Sequence, residues 1–110
     1  MPRNAKSLFT KAERNEVILH IPAMVLVEIG YLSERKRIEI TLQDAITYLN
    51  KHPILIDAID IELIRNAFEI KDIPELHDRL IAASGRICGY PVITNDPKIV
   101  ASKFVSTVWD

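Results

Sequence analysis

The chain has a single cysteine, Cys88, so neither an internal disulfide framework nor a cysteine-rich zinc site can be built from it. Its three glycines, Gly30, Gly85 and Gly89, are too scattered to form a phosphate-cradling loop. Charge of neither sign dominates: 14 Lys and Arg against 15 Asp and Glu leave a net charge of −1. With no global positive field to recruit nucleic acid, any RNA binding must depend on local basic clusters or bound cations. No apolar run approaches the ~18–20 residues needed to cross a bilayer, and low-complexity stretches, internal repeats and interdomain linkers are missing. A polar, basic stretch, Pro2–Ser7, follows Met1 where a signal peptide would be apolar. The expectation is a cytoplasmic protein with no membrane partner. His20, His52 and His77 lie in unrelated contexts and no serine sits in a nucleophile turn, which leaves no Ser-His-Asp arrangement to argue.

What remains is an ordinary globular composition, 48% hydrophobic and 26% charged, in 110 residues. That length suits one domain able to bury a core without staples. Helix and strand signals alternate along it, the mark of an α/β fold with a mainly parallel sheet. Asn4 or Ser7 could cap an opening helix through Leu8, Phe9 and Ala12. Val17–His20 reads as a short buried strand, and Pro22 suits the first turn of a helix running to about Lys36. Thr41, with Asp44 three residues on, resembles a capping box for a helix to about Asn50. Ile54–Ile56 is a second strand, and Asp60 can cap a helix from Ile61 to about Glu69. Pro74 opens a further helix that ends at Gly89, a natural left-handed terminator. Pro91–Thr94 is a third strand, and a last one falls within Phe104–Trp109. An α/β domain usually starts with a strand near the centre of its sheet; this one starts with a helix. The pattern reads as a sheet with a missing member.

Three carboxylates stand out. Glu28 is the lone charged side chain from Ile21 to Leu32, and a helix apolar on nearly every side is a buried helix. A carboxylate there is expensive unless it is paired, protonated or bound to a cation, although Arg35 or Lys36 could also reach it at the helix edge. Asp78 lies opposite the apolar stripe of Leu76, Leu80, Ala83 and Ile87, beside Ile81, Ala82 and Gly85, where small residues leave open volume next to the carboxylate. It could equally be a first-turn aspartate favoured by the helix dipole. Asp96 follows a strand in the polar turn Thr94-Asn95-Asp96, the place where open parallel sheets bind ligands, although Asp before Pro97 is also how a helix is capped and started. Gathered in one crevice, the three acids would make a hard-cation site for Mg²⁺ or Mn²⁺, able to polarise a phosphodiester and activate water. Arg35, Lys36 and Arg37 follow the Glu28 helix, and Arg79 and Arg86 lie beside each other on the Asp78 helix. They could hold RNA phosphates or form a solvated face. Glu75 and His77 read as solvated or locally paired, and His20 as structural.

Two segments, Ile21–Ile29 and Ile73–Ser84 with the continuation Gly89–Asp96, resemble the PIN-domain family of ribonucleases, in particular the toxins of VapBC toxin–antitoxin pairs. The second segment looks like the family's succession of acid-bearing helix, short turn, strand and Thr-x-Asp. The resemblance implies a three-layer α/β/α fold and a Mg²⁺- or Mn²⁺-dependent endoribonuclease acting on an RNA substrate. It places Glu28, Asp78 and Asp96 at the family's second, third and fourth acidic positions, with Thr94 and Asn95 in support. It also implies an antitoxin partner. The chain departs from the pattern at the front, where family members carry a central strand ending in a metal-binding aspartate. No acid precedes Glu13 here, so the likeness is to an N-terminally truncated PIN-like domain. Missing one carboxylate of four should weaken metal affinity sharply, and exposed strand edges should favour a homodimer or exchange of elements. A non-catalytic, dimerising or antitoxin-binding module is the alternative.

Overall fold

The computed structural model describes residues 2–110. Six helices and four short strands alternate: α1 (Arg3–Glu13), β1 (Leu19–Pro22), α2 (Ala23–Glu34), α3 (Leu42–Lys51), β2 (Ile54–Asp57), α4 (Ile61–Glu69), α5 (Leu76–Cys88), β3 (Val92–Ile93), α6 (Pro97–Val100) and β4 (Thr107–Val108). Most helix ends follow from local chemistry. The Thr41–Asp44 capping box closes in both directions, Asp44 N–H donating to Thr41 Oγ1 at 3.0 Å and Thr41 N–H to Asp44 Oδ2 at 2.9 Å. Asp60 Oδ1 accepts the Leu63 N–H at 2.9 Å to start α4. Gly89, at φ +72°, ends α5 in the left-handed conformation that glycine adopts without penalty. Asn15 adopts a positive φ just after α1, as asparagine tolerates. Two expected caps shift. Pro2 rather than Asn4 or Ser7 stands at the start of α1, and Glu75, one residue after Pro74, caps α5 by accepting the His77 N–H. Strand β1 lies two residues later than the apolar run suggested, because Pro22 closes it by fixing the backbone extended ahead of α2.

The strands are all paired in parallel, but they do not form one sheet. β1 pairs with β2, from Leu19 opposite Ile54 to Pro22 opposite Asp57, and β3 pairs with β4, Val92 opposite Thr107 and Ile93 opposite Val108. Among the described residues no strand joins the two pairs. The fold is therefore a mixed α/β arrangement with a gap where a continuous sheet would run.

Packing is equally divided. The core consists of Leu63 and Ala67 of α4, Ile70 and Ile73 of the connection between α4 and α5, Leu80, Ala82 and Ala83 of α5, and Ile99 of α6. Met24, Phe104 and Val105 close against it. Gly85 lets α5 approach the following turn. A Cβ there would stand 2.7 Å from Val92 Cγ2 and 2.9 Å from the Tyr90 carbonyl, so the small residue is filled against β3 and does not leave the open volume expected beside Asp78. The apolar helix α2 contains no buried residue at all, and Val27 and Tyr31 are more than half exposed. The expectation of a buried helix fails because its apolar sides face a cleft and solvent instead of a covering layer.

Candidate functional site

Between the two strand pairs opens a cleft of about 1230 Å³, walled by β1, by Tyr90–Ile93, by α2 residues Val25, Leu26 and Ile29, and by parts of α1, α3 and α5. His20 bridges part of it: its Nδ1 donates to Asp57 Oδ1 at 2.9 Å, and its ring lies 5.1 Å from that of Tyr90. The structural role expected of His20 is thereby given a partner, Asp57, that sequence alone did not suggest.

The three singled-out carboxylates lie on α2, on α5 and in the turn after β3. Glu28 carries the one buried side-chain polar atom, among the described residues, with no hydrogen-bond partner: its Oε1. Burial pushes the Glu28 carboxyl above the usual range; a positive charge on His77 would oppose this, while the charges of Asp78 and Glu75 add to it. Asp78 is likewise raised, first by burial, then by Asp96 and Glu75, with Lys98 and His77 working the other way. Asp78 thus acts on Glu28 and itself stands in the field of Asp96, whereas Asp96 is not among the charges acting on Glu28. The acids form a chain of neighbours with Asp78 in the middle.

Asp96 also has structural duties. Its Oδ1 accepts the Lys98 N–H at 2.9 Å as the cap of α6, and its own N–H donates to Thr94 Oγ1 at 3.1 Å. Thr94 therefore orients the aspartate's backbone, and Asn95 is exposed. Glu75 and His77 are locally paired as expected, His77 Nδ1 standing 3.9 Å from Glu75 Oε1, yet both contribute to the field at Glu28. Lys98 is the charged neighbour of Asp78 that the sequence concealed, its sole signal being its place in the first turn after the Asp96-Pro97 cap.

Hard oxygen donors and an orphaned carboxylate oxygen fit a divalent ion in kind. In spacing they do not: among the described residues no group of three or more His, Cys, Asp or Glu side chains stands close enough to hold one.

The basic residues are less available than their sequence positions suggest. Arg79 turns inward, its Nε donating to the Ile73 carbonyl, so its expected phosphate contact is replaced by a brace on the α5 approach. Arg86 is spent on Asn66 Oδ1 at 3.0 Å, Glu69 Oε1 at 3.3 Å and the face of Phe104. Arg35 lies exposed over the Tyr31 ring and donates to its hydroxyl at 3.1 Å, and Lys36 is exposed beside it at φ +57°. No family model, curated protein or solved structure matches the chain. No helix among the described residues is long and apolar enough to cross a membrane.

Proposed function

We propose that this chain is a PIN-type, Mg²⁺- or Mn²⁺-dependent endoribonuclease whose cation ligands are Glu28, Asp78 and Asp96. The observation that supports this reading best is the orphaned, buried Oε1 of Glu28 beside an Asp78 that also feels Asp96. Three carboxylates on separate elements, two of them made costly to ionise, are what a cation would relieve. A divalent ion held there would supply Lewis acidity toward a phosphodiester. The protein's own part is to exclude water around Glu28, to hold Asp96 in place through Thr94, and to present Lys36, with Arg35 held exposed by Tyr31, to RNA phosphates. Cleavage of RNA should need Mg²⁺ or Mn²⁺ and should drop at least about a hundredfold in Asp78→Asn, the range of a lost metal-site interaction. Metal-independent cleavage, or full activity in that variant, rejects the assignment.

A second reading has its own support. The acids do not close into a three-ligand group, and apolar side chains such as Ile61, Ile64 and Phe68 stand exposed along one stripe of α4. These features suit a non-catalytic module that dimerises or binds an antitoxin-like peptide. Mn²⁺ titration followed by thermal melting separates the two, because saturable stabilisation at millimolar metal belongs to the enzyme alone.

A further inference from the structure

We infer that the cleft between the two strand pairs is a receptor for an extended polypeptide segment outside residues 2–110, apolar along its length and basic at its flank, which pairs with β1 on one side and β3 on the other. The inference rests on backbone pairing, surface and charge, and does not depend on the nuclease reading.

The backbone comes first. β1 has β2 as its one partner and β3 has β4. The Val92 and Thr94 N–H groups donate toward β4, to Ser106 O at 2.9 Å and Val108 O at 3.2 Å. By the alternation of a strand, the Ile93 N–H and C=O point to the opposite edge. Ile93 and all of β1 line the cleft. An inserted strand would pair unpaired edges on two sides of one gap together, where water would otherwise hydrate them.

Size and surface agree. A volume of about 1230 Å³ exceeds the ~300–1,000 Å³ of small-molecule sites. The protein exposes 7614 Å², against about 6,200 Å² expected of a folded monomer of its mass. The excess, on the order of 1,400 Å², is more than the ~800 Å² that one partner contributes to a standard protein interface. A strand flanked on both sides is also enclosed above and below by helices, which calls for a near-continuous apolar run.

Charge selects the flank. The cleft lining includes the carboxylates of Glu16, Asp44 and Asp57 and not one lysine or arginine. An acyl chain ending in a carboxylate would be repelled there. A second copy of this chain is a poor donor, because each of its four strands is already used in a pair.

The test uses the 110-residue protein and a synthetic peptide of about five valines and isoleucines, the usual strand length, between terminal lysines. Binding should slow hydrogen exchange at the Ile93 amide and at β1. A peptide with proline at its centre, or with glutamates for lysines, should bind at least about tenfold more weakly. Ile21→Lys, checked for folding by circular dichroism, should weaken the lysine-flanked peptide likewise. Equal binding of the proline peptide would reduce the effect to apolar adsorption and overturn the proposal. So would protection confined to α4, or a homodimer that protects the Ile93 amide with no peptide present.

Discussion

The two halves of this molecule are built from similar amounts of apolar side chain and use them differently. From α4 to α6, side chains meet across the helices and vanish from solvent, Ile70 and Ile73 completely. From β1 to β2, with α2 and α3 alongside, no residue is fully buried, and Leu55 and Ile56 are 52% and 53% exposed. The difference lies in what each half has to pack against. Helix α5 finds α4 on one side and the β3 turn on the other, whereas α2 looks onto the gap between the strand pairs. A radius of gyration of 14.1 Å, against about 13 Å for a compact chain of this length, reflects that opening. An apolar sequence is therefore a requirement for burial but does not by itself supply the opposing surface.

The sharpest way to break this comparison is truncation in each half. Ile70→Ala should cost about 2–5 kcal/mol in urea unfolding, while Val27→Ala should change stability by no more than about 0.5 kcal/mol. Comparable losses at both positions would show that the β1–β2 half is packed after all. Next in size, Gly85→Ala should destabilise by about 1–3 kcal/mol despite the better helix propensity of alanine, because the Tyr90 carbonyl that its Cβ meets belongs to backbone and cannot rotate away.

How much of this was legible in advance follows the same division. Helix limits set by short-range chemistry were readable: Thr41 with Asp44, Asp60, and Gly89 act within their own turn. The α5 acid and the turn to Asp96 were placed for the same reason. What sequence could not show was any property that depends on a neighbour far along the chain. The exposure of α2, the filling of Gly85 by Val92 and Tyr90, the inward turn of Arg79 and the field of Lys98 on Asp78 are of this kind. The element order was visibly irregular for a single parallel sheet, and the strands form two separate parallel pairs.

Smaller effects sharpen the contrast. Thr41→Ala should remove about 1 kcal/mol, and because α3 buries no residue the loss should appear as local fraying, seen as faster amide exchange in α3 with α5 unchanged. The smallest shift concerns Glu28. Its carboxyl is raised in the folded state, so its contribution is harmless at low pH and turns destabilising as pH rises through the raised value. Metal-free Glu28→Gln should therefore be slightly more stable than the parent near neutral pH and indistinguishable from it in acid. Asp72 runs in the opposite sense: accepting from Ser102 Oγ and the Lys103 N–H, each at 2.8 Å, it is held below the usual range, and its support is lost as pH falls. Melting curves across pH for Asp72→Asn and Glu28→Gln should diverge accordingly.

The open edges of β1 and β3 also bear on how the protein behaves in a crowded cell. Open edges built on Leu19, Ile21, Val92 and Ile93, with no lysine or arginine beside them, recruit like strands from any chain that passes. Newly made molecules would face a kinetic race between correct engagement and coprecipitation, and yield of dissolved protein should fall steeply with expression level. Fusing a short lysine-bordered apolar tail to the chain should relieve that loss without altering a single residue of the folded helices.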